Sequence, residues 1–231
     1  MKKYLLIVLS LLLYNSVFSQ SSDDYNYSIA VRGYSLMQMP KVLNQVGGGR
    51  FIGTAFQSGM LKFNDKQISY RLSGSYLKKD VSVINNCENC DVANGKMTDY
   101  SFKIGFEKNL NFSTIQPYFG FDIGYRYNKF LGTMVSKSLA VARATSIMEP
   151  NSVEASKSGF VASPVIGIKI NPIPQVTLFA EGSLDFFYSY ERQETVADDI
   201  SSTRTFNKYN KTEFLLTPVS IGIQVNIGSN R

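Results

Sequence analysis

The strongest constraint on the fold is a period-two alternation of apolar and polar residues that recurs along most of the chain. The clearest run extends from Ile115 to Asn128, where odd positions are mainly aromatic or aliphatic and even positions are mainly polar or glycine. Such alternation predicts a β-strand with two different faces. Strands of soluble proteins usually have about five or six residues. A tilted strand that crosses a bilayer needs about 9–11 residues, so this run is long enough to do so.

Similar runs predict about eight strands. We place them at 27–38, 50–61, 66–78, 99–109, 115–128, 158–171, 175–190 and 211–227. The connections alternate between short turns and long segments, which are 39–49, 79–98, 129–157 and 191–210. Sorting of short and long connections to opposite ends is typical of an outer-membrane barrel. The sequence therefore predicts an all-β fold: a closed antiparallel up-and-down transmembrane β-barrel with four long outer loops, three short periplasmic turns and periplasmic termini.

Two features of the predicted strands depart from a regular ladder. Pro164 and Pro218 lie inside strands although proline cannot donate a ladder hydrogen bond, so they mark bulges or a later strand start. The run 50–61 resembles a strand, but its faces cannot be assigned from the pattern. A soluble lipocalin-like barrel is the structural alternative, and it would turn its apolar residues inward.

The first residues predict a secretory signal peptide. Lys2 and Lys3 form a positive start, an apolar run follows, and the small Ser19 permits cleavage before Gln20. The apolar run is shorter than the roughly 20 residues of a transmembrane helix, which makes a membrane anchor the less favoured alternative. We therefore assign 1–19 to the signal peptide and 20–231 to a single barrel domain. Cleavage lowers the formal charge from +6 to +4 without leaving a dense basic patch, so we expect no nucleic-acid partner.

The absence of histidine removes most familiar catalytic and metal-binding chemistry. No Ser-His-Asp or Cys-His nucleophile and no His-ligated zinc is possible. We expect no catalytic residue, no cofactor and no metal site. Cys87 and Cys90 form a C-x-x-C outside any thioredoxin-like context, so a small loop disulfide is favoured over a redox motif or a zinc site. A cation site formed by Glu88, Asp91 and Asp99 is disfavoured because the spacing matches no known motif.

Two loop segments are candidates for a functional role. The triple glycine at 47–49 lacks the Lys-Ser/Thr and helix of a phosphate loop, which indicates a flexible loop tip. The segment 134–148 allows either a short helix over the barrel mouth or a solvated loop.

Aromatic residues cluster on the apolar face near the long-loop end of several strands. Rings at that level are typical of an interfacial girdle, in which the ring meets hydrocarbon and the phenol reaches water. The alternative is the ordinary preference of aromatic residues for strands. The predicted girdle consists of Tyr76, Tyr100, Tyr125, Tyr127, Phe160, Tyr188 and Tyr190.

The opposite face carries acidic and basic residues in similar number. An eight-stranded barrel is only wide enough for side chains to fill its interior, so these charges predict a plug of ion pairs rather than an open pore. Counting around the turn at Asn111 sets Lys103 opposite Asp122 as one such pair. A proton or solute path is the functional alternative. The predicted lumen charge network consists of Arg32, Arg71, Lys103, Glu107, Asp122, Arg126, Lys169, Glu181 and Asp185.

On these segments the chain resembles the small outer-membrane β-barrel proteins of Gram-negative bacteria, of the eight-stranded OmpA/OmpX-like type. The resemblance covers about Tyr27 to Ile227 and rests on the signal peptide, the segment from Gln116 to Tyr127 and the final strand. The chain departs from the family pattern at its C-terminus, because many such barrels end in an aromatic residue and this chain ends in Arg231.

The resemblance implies an outer-membrane protein in contact with lipid and lipopolysaccharide, and its loops are the candidate contact for a surface or outer-membrane protein partner. We expect a non-enzymatic structural or surface-interaction role. A narrow porin-like channel or transporter for small or apolar solutes is one alternative, and an accessory subunit of a secretion or outer-membrane assembly machine is another. A catalytic role is disfavoured by the absence of histidine.

Overall fold

The computed structural model describes residues 25–43, 50–84, 92–111, 113–135, 151–197 and 203–229. The signal-peptide segment, the triple glycine, Cys87, Cys90, Glu88 and Asp91 lie outside these residues, as does almost all of the segment 134–148. The strands are β1 (Tyr25–Gln38), β2 (Phe51–Asp65), β3 (Ile68–Ile84), β4 (Val92–Asn109), β5 (Ile115–Val135), β6 (Asn151–Ile173), β7 (Val176–Val196) and β8 (Arg204–Ser229).

The strands form one closed antiparallel ring. Each strand pairs with its neighbours in sequence, and β8 returns to pair with β1, for example Tyr27 with Ile227. Closure leaves no free sheet edge at this seam, as a barrel in lipid requires. The predicted all-β architecture, eight up-and-down antiparallel strands closed into a barrel, is therefore confirmed. Among the described residues, no helix has the length and apolar character needed to cross a membrane.

The strands are longer at the loop end than the sequence predicted. β5 continues to Val135, β6 begins at Asn151, β7 continues to Val196, and β8 begins at Arg204. The predicted loop bounds 129–157 and 191–210 are therefore too wide. The bounds 79–98 are too wide as well, because β3 continues to Ile84 and β4 begins at Val92. The ladder hydrogen bonds continue beyond the apolar band, where several outward side chains, such as Lys129, Glu154 and Arg192, are charged and hydropathy no longer marks the strand.

The alternation separates two environments along each strand. On β5, Ile123 faces outward with 51% of its surface exposed, whereas the neighbouring Asp122 is inside the ring and 2% exposed. Register shifts interrupt the ladder in β1 between Arg32 and Tyr34, and between β7 and β8 beside Pro218. Pro164 lies instead in an unbroken register with β5, opposite Phe121.

Candidate functional site

The interior of the barrel is filled by a charge network. Among the described residues, eleven ion pairs join side chains that are no more than 17% exposed. The basic members are Arg32, Lys62, Arg71, Lys103, Arg126, Lys157 and Lys169, and the acidic members are Asp99, Glu107, Asp122, Glu181, Asp185, Glu191 and Glu213. The seven basic and seven acidic side chains balance, which favours mutual neutralisation. An excess of one sign, by contrast, would favour selection of permeating ions.

Glu107 on β4 is the centre of the network. Its carboxylate accepts hydrogen bonds from Lys62 Nζ at 2.8 and 2.9 Å and from Arg71 Nη1 at 3.2 Å, and it lies 2.5 Å from Lys169 Nζ. The Glu107 side chain has no exposed surface. The Lys169 ammonium also lies 4.9 Å from the ring centre of Tyr118. Three cations and a ring therefore fill one level of the lumen.

Arg71 links this level to the next one. Its Nη2 donates to Asp122 Oδ2 at 2.7 Å and its Nη1 lies 3.2 Å from Glu181 Oε2. Tyr118 Oη donates to the same Glu181 oxygen at 2.9 Å, and Arg32 Nη2 donates to Glu181 Oε1 at 2.6 Å. A single buried guanidinium thus connects carboxylates from β4, β5 and β7.

The predicted pair of Lys103 and Asp122 is wrong. Lys103 lies opposite Gly124, and Asp122 lies opposite Gly105. The Lys103 ammonium donates to Asp185 Oδ1 at 2.7 Å instead. The β4–β5 register is displaced by two residues from the one obtained by counting around Asn111, and such a displacement leaves both side chains inside because the period is two.

An apolar cluster closes the loop end of the lumen. Met39 and Val42, from the segment after β1, pack with inward residues of the strands, and Phe130 in this cluster has no exposed surface. The Lys41 backbone N–H donates to Glu213 Oε1 at 3.1 Å, which ties the segment to β8. The other members are Ile52, Leu77, Val83, Ala93, Met97 and Ala155. Below them, Lys157 contacts Glu191 at 3.0 Å and Glu213 at 2.8 Å.

Neutral polar side chains fill the opposite end. Ser28 Oγ donates to Asn226 Oδ1 at 2.9 Å, and Gln224 Nε2 donates to the same oxygen at 2.8 Å. Asn64 reaches Ser28 from β2 at 2.8 Å. A hydrogen-bonded layer therefore separates the charged centre from the turn end.

The nine predicted lumen residues all lie inside the ring, but sequence reasoning omitted five others. Asp99 was placed at the end of a predicted strand, and Lys62 lies just beyond the run 50–61 whose faces were not assigned. Extending the alternation Met60, Lys62, Asn64 would have found it. Lys157 and Glu191 are border residues of the segments assigned to loops, 129–157 and 191–210. Glu213 lies near the start of the predicted strand 211–227, where the alternation was followed only from Val219 onward.

The outer surface carries apolar residues between two aromatic bands. Of the predicted girdle, Tyr100 and Tyr127 stack with ring centres 5.0 Å apart, and Tyr125 meets Phe160 edge to face at 6.5 Å. Tyr76 pairs with Tyr100 across the ladder. The outward members Tyr188 and Tyr190 are each 48% exposed. A second band near the turns, which the sequence analysis did not identify, contains Tyr27, Phe63, Tyr70 and Phe106.

Charged residues resume immediately beyond the long-loop band. Lys129 follows Tyr127 on β5 and lies 2.6 Å from Glu154 on β6, with both side chains partly exposed. A hydrogen bond to Glu154 raises the pKa of Lys129. The change from aromatic to ionic side chains marks the boundary of the apolar surface.

Comparison with known proteins identifies the fold and little else. No protein-family model matches the sequence. No curated protein matches it either. Among solved structures, the chain is similar to Neisserial surface protein A at 9% identity, with 87% of this chain and 97% of that chain covered and a TM-score of 0.50. It is also similar to a major outer membrane protein from Thermus thermophilus at 11% identity, covering 87% and 99%, with a TM-score of 0.50.

The outer membrane protease OmpT from Escherichia coli also matches, at 10% identity with 91% and 100% covered, but its TM-score is 0.39. A similarity of that size supports no inference about chemistry. The fold is thus that of the small eight-stranded outer-membrane β-barrels.

Proposed function

We propose that this chain is a non-enzymatic outer-membrane protein whose sealed barrel anchors an outward-facing interaction surface. The observation that carries the proposal is the double closure of the lumen. Glu107 and its three cations close the centre, and the apolar cluster around Phe130 closes the loop end. A lumen closed in this way supports anchoring better than conduction.

Placement in the outer membrane is supported by the reversed exposure pattern. Large apolar residues such as Ile123 and Ile223 are more than half exposed, whereas Glu107 and Lys62 are buried. In water this arrangement would expose apolar surface far beyond the few hundred Å² that soluble proteins tolerate. The same proposal includes removal of residues 1–19 as a signal peptide and a periplasmic location of both termini.

The strands that extend beyond the aromatic band provide the rigid part of the surface. β5 to β8 continue as paired ladders past Tyr127 and Tyr190, for example at Gly132–Val153 and at Glu194–Phe206. Loops held on such a scaffold commonly carry binding residues. The partners are therefore lipopolysaccharide or lipid at the band itself, and a cell-surface or outer-membrane protein at the loops.

The alternatives make different demands on the lumen. A channel or transporter would need a continuous path past Glu107 and Phe130, both of which lie in fully buried positions. An accessory subunit of a secretion or assembly machine remains compatible with the same sealed barrel, and it would co-purify with a larger complex at fixed stoichiometry.

Two measurements test the proposal together. The folded chain should fractionate with the outer membrane and migrate differently on a gel before and after heating in detergent. In planar bilayers, protein whose insertion is verified by that mobility shift should give no steady conductance steps above the lipid baseline. A soluble chain without a mobility shift would contradict the membrane placement, and regular conductance steps would contradict the sealed lumen.

A further inference from the structure

The barrel wall has a window between β2 and β3. Their mutual pairing extends from Asp65–Ile68 only as far as Ser58–Ser75. Beyond that point β2 stays paired with β1 as far as Phe51, and β3 stays paired with β4 as far as Ile84. The two strands therefore separate at the level of the long-loop aromatic band, where Tyr76 lies. At the far end, Arg50 Nη1 donates to the backbone oxygen of Ser82 at 2.6 Å and bounds the window.

The backbone beside the window is irregular. Phe56 has a φ of 54°, in the left-handed region that bulky residues rarely adopt, and its side chain is 79% exposed on the outer surface. The register shift of β1 between Arg32 and Tyr34 lies at the same height. Strained backbone of this kind concentrates at ligand-binding positions, which makes the window a candidate binding site.

A polar cavity of about 80 Å³ lies behind the window. Its wall contains four basic and four acidic residues of the charge network and many hydroxyl groups, among them those of Ser58, Ser75 and Thr54. The volume corresponds to roughly five water-sized groups. Because the charges of the wall balance and are paired, the cavity favours an uncharged polar group over an ion.

Several buried atoms of this wall have unused hydrogen-bonding capacity. Among the described residues, no partner is found for Gln57 Oε1 and Asp122 Oδ1, which accept, or for Arg71 Nε and Arg126 Nη2, which donate. Buried polar groups normally have partners, and each exception calls for an explanation. A hydroxyl group both donates and accepts, so a ligand with hydroxyls matches both kinds of atom.

A groove on the outer surface leads to the same opening. It has a volume of about 520 Å³ and is lined by Val31, Phe56, Gly59, Tyr76 and Lys78, together with Gln57 and Ser58. Three of these residues, Gln57, Ser58 and Tyr76, also line the inner cavity. A Cβ atom added at Gly59 would meet nothing within 4 Å, so the groove has free space there. The groove and the cavity thus form one continuous site. The exposed Phe56 ring lies in its outer part, and the charged side chains of the network line its inner part.

We propose that this window binds one single-chain membrane lipid with an uncharged, hydroxyl-bearing head group, such as a monoacylglycerol. The acyl chain lies along Val31, Phe56 and Gly59 at the level of the outer leaflet. The head group enters just beyond the Ser58–Ser75 pair, between Gln57 and Tyr76, which line both the groove and the cavity. There its hydroxyls reach Gln57 and the unpartnered donors of the wall. The proposal rests on the membrane placement proposed above, but it does not require or supply a path through the lumen.

A tryptophan reporter tests the site directly. The chain has no tryptophan, so Phe56→Trp and, separately, Phe160→Trp each introduce a single one. Phe160 is 74% exposed on β6, away from the window, and is the matched lipid-facing control. In phosphatidylcholine bilayers, a dibromostearoyl monoacylglycerol should half-quench Phe56→Trp at a mole fraction at least tenfold lower than Phe160→Trp. Coincident quenching curves would overturn the proposal, because bulk lipid contact alone produces them.

Two further variants separate the groove from the head-group contact. Gly59→Leu, combined with Phe56→Trp, should fill the groove and move quenching to the control curve. Gln57→Leu, also combined with Phe56→Trp, should remove the stronger quenching by the brominated monoacylglycerol relative to dibromostearic acid. If dibromostearic acid quenches the Phe56→Trp protein as well as the monoacylglycerol does, the preference for an uncharged head group is overturned. If adding Gly59→Leu leaves the quenching curve unchanged, the groove as the acyl-chain site is overturned.

Native mass spectrometry of the unsubstituted protein provides a readout that does not depend on Phe56. Monooleoylglycerol should give one adduct per barrel, and Gly59→Leu should abolish it. No adduct from correctly folded protein, as judged by the heat-dependent mobility shift, would contradict the window site alone. Loss of the mobility shift itself would contradict the proposed membrane function.

Discussion

Lys62 and Glu107 form an ion pair that is completely shielded from solvent. The ammonium lies 2.8 and 2.9 Å from the two carboxylate oxygens, and neither side chain has exposed surface. Removing two charges from water is costly, and the cost is recovered only when geometry and further hydrogen bonds satisfy both groups. Arg71 and Lys169 complete that arrangement around Glu107, so its carboxylate is the shared counter-ion of three buried cations.

Neutralising Glu107 should therefore destabilise the barrel strongly. Glu107→Gln leaves Lys62, Arg71 and Lys169 close together without their shared carboxylate. We expect a loss of about 3–5 kcal/mol in the free energy of unfolding, the range found when one partner of a buried ion pair is removed. Urea unfolding in detergent or lipid vesicles, followed by the gel mobility shift, measures it.

The matched control for this substitution is Glu154→Gln. Glu154 pairs with Lys129 on the outer side of the barrel, and both side chains are partly exposed. Exposed pairs contribute about 0–1 kcal/mol, so the control should unfold almost as the unsubstituted protein does. Similar losses in the two variants would show that the Glu107 cluster has no special role.

A double-mutant cycle distinguishes the partner that the structure gives Lys103 from the one that the sequence predicted. Lys103→Ala combined with Asp185→Ala should show a coupling energy of about 1 kcal/mol or more, because the two groups are in contact at 2.7 Å. Lys103→Ala combined with Asp122→Ala should be closer to additive, since Asp122 is hydrogen-bonded to Arg71. The opposite ranking in urea unfolding would contradict the register.

This pair also shows which parts of the site the sequence could specify. Alternation fixes the face of each side chain, because a shift by one residue would bury the apolar set and expose the polar set. It therefore placed Lys103 and Asp122 inside. A shift by two residues preserves every face, so the pattern could not choose between Asp122 and Gly124 as the residue opposite Lys103.

The sequence was less informative where a strand is interrupted or leaves the apolar band. In β2 the left-handed Phe56 breaks the period, so Lys62 was not assigned to the lumen although it is fully buried. Glu191 lies past the apolar band on β7, and its segment therefore read as a loop. The fold depends on repeated local patterns and was predictable. Which charged side chains pair inside the barrel depends on strand register and bulges, and the alternation pattern specifies neither.

The apolar seal at the loop end should contribute substantially to stability. Phe130 has no exposed surface and packs within the cluster that includes Met39 and Val42. Phe130→Ala should cost about 3–5 kcal/mol, because it removes a buried ring and leaves a cavity. Leu131→Ala is the control on the same strand, since Leu131 faces outward and is 47% exposed. Thermal unfolding that affects both variants equally would argue against the seal.

The membrane assignment is tested by placing a charge on the outward face. Ile123 is 51% exposed and lies between the two aromatic bands, whereas Leu131 lies beyond Tyr127 at the long-loop end. Ile123→Lys should destabilise the barrel in lipid bilayers by about 2–4 kcal/mol, and Leu131→Lys by only about 0–1 kcal/mol, because the cost of a lipid-facing cation falls with distance from the bilayer midplane. If the outer face met water instead, neither substitution would bury a charge and Ile123→Lys would leave stability nearly unchanged. Equilibrium unfolding from phospholipid vesicles measures both values, and their difference reports the depth of the two positions directly.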